Sequence, residues 1–392
     1  MSGVEGYMYP NEITLYWSVL IVLYPYITGL VAGAFILASL ERVFRVEAVK
    51  PTYRLALLTA LAFLLVAPLP LVLHLGHPFR SPEMYFTPHS TSAMAMFGYV
   101  YLWYLMAVLV LEIWLDYRRE IVILSQSSKG LLRFVYRVMT LGSSNISERS
   151  LAIDERVGWI VTLIGIPSAF LLHGYVGFIF GSIKANPWWS SPLMPVVFIF
   201  SAMVSGIAGV MLLYMALTKL RKQKIDMRCV DAIAMYMFYI YTIDFSLEML
   251  DLVHRIYEAN ESFNSLNFMV HTKLYFSQIV LQICLGTLVP LVLLFLTQVV
   301  KLPEIARKYM YVISGSLALI GVLAMRWNVV IGGQLFSKSF LGYTTYKMSL
   351  VTKEGLLVAI GLTLLPLLFL WVLVKLLPPW PDKSEPEGVA AD

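Results

Sequence analysis

Residues 55–80 read LALLTALAFLLVAPLPLVLHLGHPFR. About twenty apolar residues, enough to cross a hydrocarbon core roughly 30 Å thick as a helix, run into two histidines, a glycine and proline that break the helix, and an arginine. The segment therefore predicts a membrane helix whose end is crowded with imidazole and guanidinium. Polar groups are well tolerated at the membrane interface, so anchoring accounts for part of the pattern. So many donors at one helix end also suit a site for something that reaches the membrane edge needing hydrogen bonds and protons.

The rest of the chain repeats the apolar pattern. Of its 392 residues 59% are hydrophobic and 14% charged, with a mean hydropathy of +0.75. Nine apolar segments are long enough to span: 14–40, 55–76, 92–115, 157–181, 192–218, 230–253, 270–298, 309–335 and 354–377. The fold class that follows is an all-α polytopic membrane protein. The first segment lacks a basic flank and a cleavage site and is read as a span, not a signal peptide. With residues 1–13 outside, 21 Lys and Arg fall in inner segments and seven in outer ones. That asymmetry predicts an outer N-terminus and an inner C-terminus. The net charge of +5 is thus a matter of topology, and no nucleic-acid partner is expected. Cys229 and Cys284 fall in different segments and are too few for an iron–sulfur cluster or a structural zinc site.

One offset links the two halves. Residues 28–32 (TGLVA) reappear 177 positions later as 205–209 (SGIAG), and 73–77 (LHLGH) faces 250–254 (LDLVH). The third segment falls on the seventh under the same shift. A parallel repeat is expected: a first four-helix bundle over 14–181, a second over 192–335, and an additional helix at 354–377. Lys129, Arg133 and Arg137 recur every four residues among apolar ones, predicting an amphipathic inner-surface helix over 121–141. The Pro-rich tail 378–392 is expected to be disordered. Gly29, Gly33, Gly206 and Gly209 are expected at close helix contacts.

Charged residues inside the hydrocarbon are functional candidates. His173, Asp244 and Arg326 each lie roughly 20–26 Å along their segments from the inner side at 1.5 Å per residue. Asp244, Glu248, Asp251 and Arg255 follow i, i+4, i+7, i+11, one stripe of one helix face reaching the outer interface. That stripe suggests a proton path or wet cavity, with Arg326 as a partner. Glu12, Glu41, Glu112 and Glu354 lie near segment ends and read as interfacial. Tyr99, Tyr101, Trp103, Trp188 and Trp189 suit an outer aromatic belt. A two-haem arrangement is not expected, because only His173 lies deep while His89, His254 and His271 lie at the outer surface.

These residues resemble the NrfD/PsrC family of polysulfide reductase-type membrane subunits. The helix end HLGHPFR is similar to its D/H-L-G-R-P-x-R element, with His77 standing where the family has arginine. Residues 168–213, from SAFLLHGYVGF to GIAGVMLL, resemble its fourth and fifth helices. MRWNVVIGGQ with LLPPWP is similar to the larger hydrogenase- and alternative-complex-III-type members. The likeness extends over 11–381. It implies two four-helix bundles and a lipid quinone, menaquinone or ubiquinone, reacting near the outer face. It implies no haem or cluster in the chain itself. A ferredoxin-like iron–sulfur subunit would dock outside and lead to a catalytic subunit of molybdopterin, hydrogenase or cytochrome type. Carried over, His173 matches the quinone-contacting histidine, Arg80 the arginine closing the helix-end element, and Arg326 that of the eighth helix. His74, His77 and Tyr101 complete the expected quinone site, and Asp244, Glu248, Asp251 and Arg326 the expected proton path. The competing class is a secondary transporter or proton channel working through the same acidic stripe.

Overall fold

Why each apolar segment becomes a helix is a matter of the backbone: in hydrocarbon its N–H and C=O groups must bond within the segment. The computed structural model describes residues 4–87, 89–258 and 262–380. Among them nine helices are long and apolar enough to cross a membrane. They are α1 (Val19–Arg42), α2 (Glu47–His74), α3 (Ala95–Ser127), α4 (Glu148–Gly181), α5 (Met194–Leu220), α6 (Met227–His254), α7 (Tyr275–Val299), α8 (Glu304–Gln334) and α9 (Leu356–Leu376). The protein is an all-α polytopic membrane protein. The end of the bundle that carries residues 4–18 is called the N-terminal face, the other the basic face.

Local chemistry sets the ends and irregularities. Ser18 caps α1 by accepting from the Leu20 amide, and Ser92 caps the helix that opens α3 by accepting from Ala95. Pro68 interrupts α2, splitting it into Tyr53–Val66 and Leu69–His74. Proline has no N–H for the carbonyl four residues back, and that carbonyl, Leu64, instead accepts from the Tyr101 hydroxyl at 2.8 Å. Both α3 and α7 contain π-helical stretches, Trp103–Val110 and Tyr275–Leu288. Shifted by 177 positions, the first falls within the second.

Three expectations need correction. The third helix runs on to Ser127, so the amphipathic surface helix is only Gly130–Met139, its Leu131 and Phe134 exposed. Helix α4 begins at Glu148 because Glu148–Arg156 adds polar turns at the basic face, where Asp154 holds the buried Arg118. The tail is ordered as far as Trp380, whose indole N–H donates to the Pro51 carbonyl while Arg221 lies over its ring. Residues 381–392 lie outside the described residues.

Helix α1 is almost wholly enclosed, packed by α2, α4, α5 and α8, whereas α7 and α9 lie at the periphery. Small residues allow this, since helix association in lipid depends on close packing. A Cβ on Gly33 would lie 2.3 Å from the Ala202 carbonyl oxygen, and one on Gly206 2.4 Å from Gly33 Cα. Gly206→Val is therefore expected to destabilise the protein by about 1–3 kcal/mol, the usual range for overpacking. A lowered thermal midpoint of the purified protein would register it; an unchanged midpoint would show that the α1–α5 seam yields freely.

The N-terminal segment is clasped to the loop after α8. Strand β1 (Glu5–Gly6) pairs antiparallel with β2 (Gly342–Tyr343). The Glu12 carboxylate accepts from the Ser337 hydroxyl and the Lys338 amide. Trp17 beneath it stacks on Trp189 and meets Phe180 edge-on. An aromatic layer thus lies between the N-terminal face and the polar centre below.

Candidate functional site

The centre is made where α1, α4, α5 and α8 converge. His173 and Arg326, both 0% exposed, meet with Arg326 Nη2 3.0 Å from His173 Nε2. Arginine has only donors, so Nε2 is the accepting nitrogen. Thr28 Oγ1 spends its hydrogen on the Tyr24 carbonyl at 3.0 Å and lies 3.3 Å from His173 Nδ1. Nδ1 is therefore the protonated nitrogen of a neutral ring with both nitrogens engaged. Arg326 also donates to Ser201 Oγ at 2.8 Å and to the Phe198 carbonyl at 3.3 Å, and its guanidinium lies 3.9 Å from the Phe198 ring centroid. The ring of His173 stacks on the same phenylalanine.

On the far side, Asp244 and Glu248 of α6 attract the guanidinium electrostatically. Neither Asp244 Oδ1 nor Arg326 Nε has a hydrogen-bond partner among the described residues. Unpaired buried polar atoms of opposite sign are costly unless water or a ligand joins them, so this centre has the means to hold one.

Next to it, beneath the N-terminal face, is a cavity of about 400 Å³. It is bounded by α5–α8 and the short helix Phe263–His271. Most of its wall is apolar, and its polar members include Glu248, Asp251, His271, Gln278, Gln282 and Asn328. Gln282 donates its amide to the Glu248 carboxylate at 3.3 and 3.4 Å. That orients the amide, so Gln282 Oε1 accepts from Asn328 Nδ2 at 2.8 Å. Trp188 donates to the Asn328 carbonyl at 2.9 Å, and Ser191 donates to Asp251. Met325, whose sulfur takes Arg326 Nη1, also lines the cavity. Cavity and buried centre are thus one side chain apart.

The remaining expected residues lie elsewhere. His74 Nδ1 is 3.1 Å from Glu354, just before α9, and Lys353 donates to the Leu75 carbonyl. His77 is exposed. Arg80 grips Glu83 with bonds of 2.9 and 3.0 Å, which holds the Glu83 carboxyl below its ordinary range. Phe79 and Phe86 flank this pair, almost fully exposed. Tyr101 bonds Leu64, as above. None of these four shares a hydrogen bond or ion pair with His173 among the described residues. The side chain of Arg255 lies outside the described residues.

Sequence reasoning missed Thr28, Gln282 and Asn328, whose uncharged side chains give no signal in an apolar window. It also misplaced Glu112. That residue is 1% exposed, not interfacial, because α3 continues fifteen residues past it toward the basic face.

The family described as "Polysulphide reductase, NrfD" matches residues 9–338. The chain belongs to the NrfD family. Together with nine spanning helices, this makes it a multi-pass protein of the prokaryotic plasma membrane. It is similar to a selenate reductase subunit of Mesobacillus selenatarsenatis, 36% identical over 50% of this chain and 47% of that one. It is 30% identical to NrfD of Escherichia coli over 52% of this chain and 61% of the other. The Hdr-like menaquinol oxidoreductase integral membrane subunit of Archaeoglobus fulgidus is 24% identical over 95% of this chain and 87% of its own. In the first two cases the match spans about half to three-fifths of the relative's length.

Proposed function

We propose that this NrfD-family chain is the quinone-reactive membrane subunit of an oxidoreductase complex, with its N-terminal face outside the cell. The observation that carries the reading is the cavity beneath that face: its size falls in the usual range for small-molecule sites, about 300–1,000 Å³. Its wall is apolar, as a ring and isoprenoid stem require, and two carboxylates stand in it. Interconverting quinone and quinol takes two electrons and two protons. Glu248 and Asp251 are placed to exchange the protons with the ring oxygens, and Asp244 and Arg326 continue the polar line inward. The relative matched over most of the chain bears the name of a menaquinol oxidoreductase subunit, which favours this substrate class, menaquinone or ubiquinone.

In this reading His173 holds Arg326 in place and does not itself touch the ring. The end of α2, with His74, His77, Arg80 and Tyr101, is the edge approached by a ferredoxin-like iron–sulfur subunit. The exposed Phe79 and Phe86 offer that partner apolar anchors beside the Arg80–Glu83 pair. The helices form two four-helix bundles in parallel repeat, and α9 braces α2.

Steady-state oxidation of a short-chain menaquinol by the solubilised complex tests the assignment. Ile283→Trp, which fills the cavity, is expected to raise KM roughly tenfold, in line with losing a well-fitted apolar contact, while Tyr101→Phe stays near wild type. The reverse pattern would move the ring to the end of α2. No turnover or binding by the wild-type complex would overturn the quinone reading and favour a transporter.

A further inference from the structure

Helix α3 carries a second acidic stripe. Glu112, Asp116 and Glu120 follow i, i+4, i+8 and share one helix face. The Glu120 side chain is 41% exposed at the basic face, that of Asp116 11%, and Glu112 is 1% exposed. The stripe therefore descends from water into the interior of the first four helices. The stripe on α6 opens toward the opposite face.

The outer two acids are neutralised. Arg54 binds Asp116 at 2.8 Å and Glu120 at 2.9 Å, and Arg42 lies 3.9 Å from Asp116. Glu112 is not in an ion pair among the described residues. Its Oε1 lies 2.7 Å from the hydroxyl of Thr162 of α4, whose single hydrogen is shared with the Gly158 carbonyl at 2.9 Å, and accepts from Tyr53 of α2 at 3.3 Å, while Oε2 has no partner among the described residues. The groups that face it are Tyr53 from α2, Arg42 from α1, Asp116 and Tyr104 from α3, and the Thr162 hydroxyl from α4. Tyr104, also fully buried, has a hydroxyl without a partner among the described residues. Tyr104 lies within the π-helical stretch Trp103–Val110, and Glu112 follows just after it in the chain. Such stretches occur frequently at functional sites.

A carboxyl kept only for packing would have both oxygens satisfied or be replaced by an amide at no loss. Here one oxygen is held beside two hydroxyls and the other has no partner among the described residues. We infer that Glu112 is a proton-holding site in exchange with water at the basic face, with Tyr104 as the next hydroxyl inward. It takes one proton from that side and returns or forwards it, with no electron transferred and no bond made other than O–H. Coupling of its occupancy to turnover rests on the quinone reading; its exchange with the basic face does not.

Two measurements test it. Infrared difference spectra of the purified protein, taken between two pH values, are expected to contain a carboxyl C=O band that Glu112→Gln removes and Glu112→Asp shifts. Complex in proteoliposomes is expected to lose at least half of its protons moved per electron in Glu112→Gln, with electron transfer within a few-fold of wild type and partial recovery in Glu112→Asp. Glutamine preserves shape and accepts from Thr162 and Tyr53 at its oxygen, so the fold is retained. A Glu112→Gln protein with an unaltered carboxyl band would overturn the proposal. Unchanged proton yield with the band lost would remove the coupling and leave Glu112 as an isolated titrating group. Failure of the wild-type complex to oxidise quinol would sink the quinone reading, and the infrared titration would still decide Glu112.

Discussion

Replacement of Arg326 by leucine is expected to destabilise the folded protein by about 3–5 kcal/mol, the range for breaking a buried charged network from one side. The substitution removes a guanidinium that satisfies His173 Nε2, the Ser201 hydroxyl and the Phe198 carbonyl at once. It also strips Asp244 and Glu248 of the only cation facing both among the described residues. His173 Nε2 then has no donor, Ser201 Oγ and the Phe198 carbonyl each lose one, and Asp244 and Glu248 lose their shared countercharge in hydrocarbon, where water cannot replace it readily. The double variant His173→Leu with Arg326→Leu is expected to recover part of the loss, because removing both ends leaves fewer orphaned groups than removing one. Thermal unfolding of the purified single and double variants reads both effects. An Arg326→Leu protein as stable as wild type would mean that the centre is loosely held and already hydrated.

Glu248→Gln is expected to lower kcat for menaquinol oxidation about 10²-fold, the lower end of what a positioned proton acceptor contributes, with little change in KM. The fold should tolerate it. In the wild type the Glu248 carboxylate orients Gln282, which orients Asn328. With an amide at 248 the row can invert: residue 248 donates, Gln282 accepts there and donates onward, and Asn328 presents its own oxygen. Every amide keeps a partner, so stability and proton acceptance separate. A variant with normal kcat would remove Glu248 from the chemistry. A variant with normal kcat but a raised KM would make it a binding group only.

The spanning helices could be read from the sequence because hydrocarbon imposes one rule on all of them. Twenty apolar residues without water must close their own hydrogen bonds, and nothing distant can alter that. The family likeness was equally local, carried by runs such as HLGHPFR and MRWNVVIGGQ. The irregular ends were less legible. Polar turns such as Glu148–Arg156 extend a helix beyond the membrane, and apolarity gives no sign of where they stop.

Which side chains meet is a matter of packing. His173 and Arg326 could each be flagged as deep in a span, yet their bond depends on which faces α4 and α8 turn toward each other. That in turn depends on Gly33 and Gly206 letting α1 and α5 approach. Depth along a segment places a residue between the two faces of the membrane. It does not say whether the residue points to lipid, to a cavity or to a neighbouring helix. For that reason His74 and Arg80, expected beside His173, are paired with Glu354 and Glu83, and Glu112, expected at an interface, is enclosed. Contiguous residues suffice to make this a polytopic membrane protein of NrfD type, because hydropathy and short motifs are local properties of the chain. They do not reveal which of its few polar groups share a centre, because rotation about each helix axis is fixed by contact with the other helices.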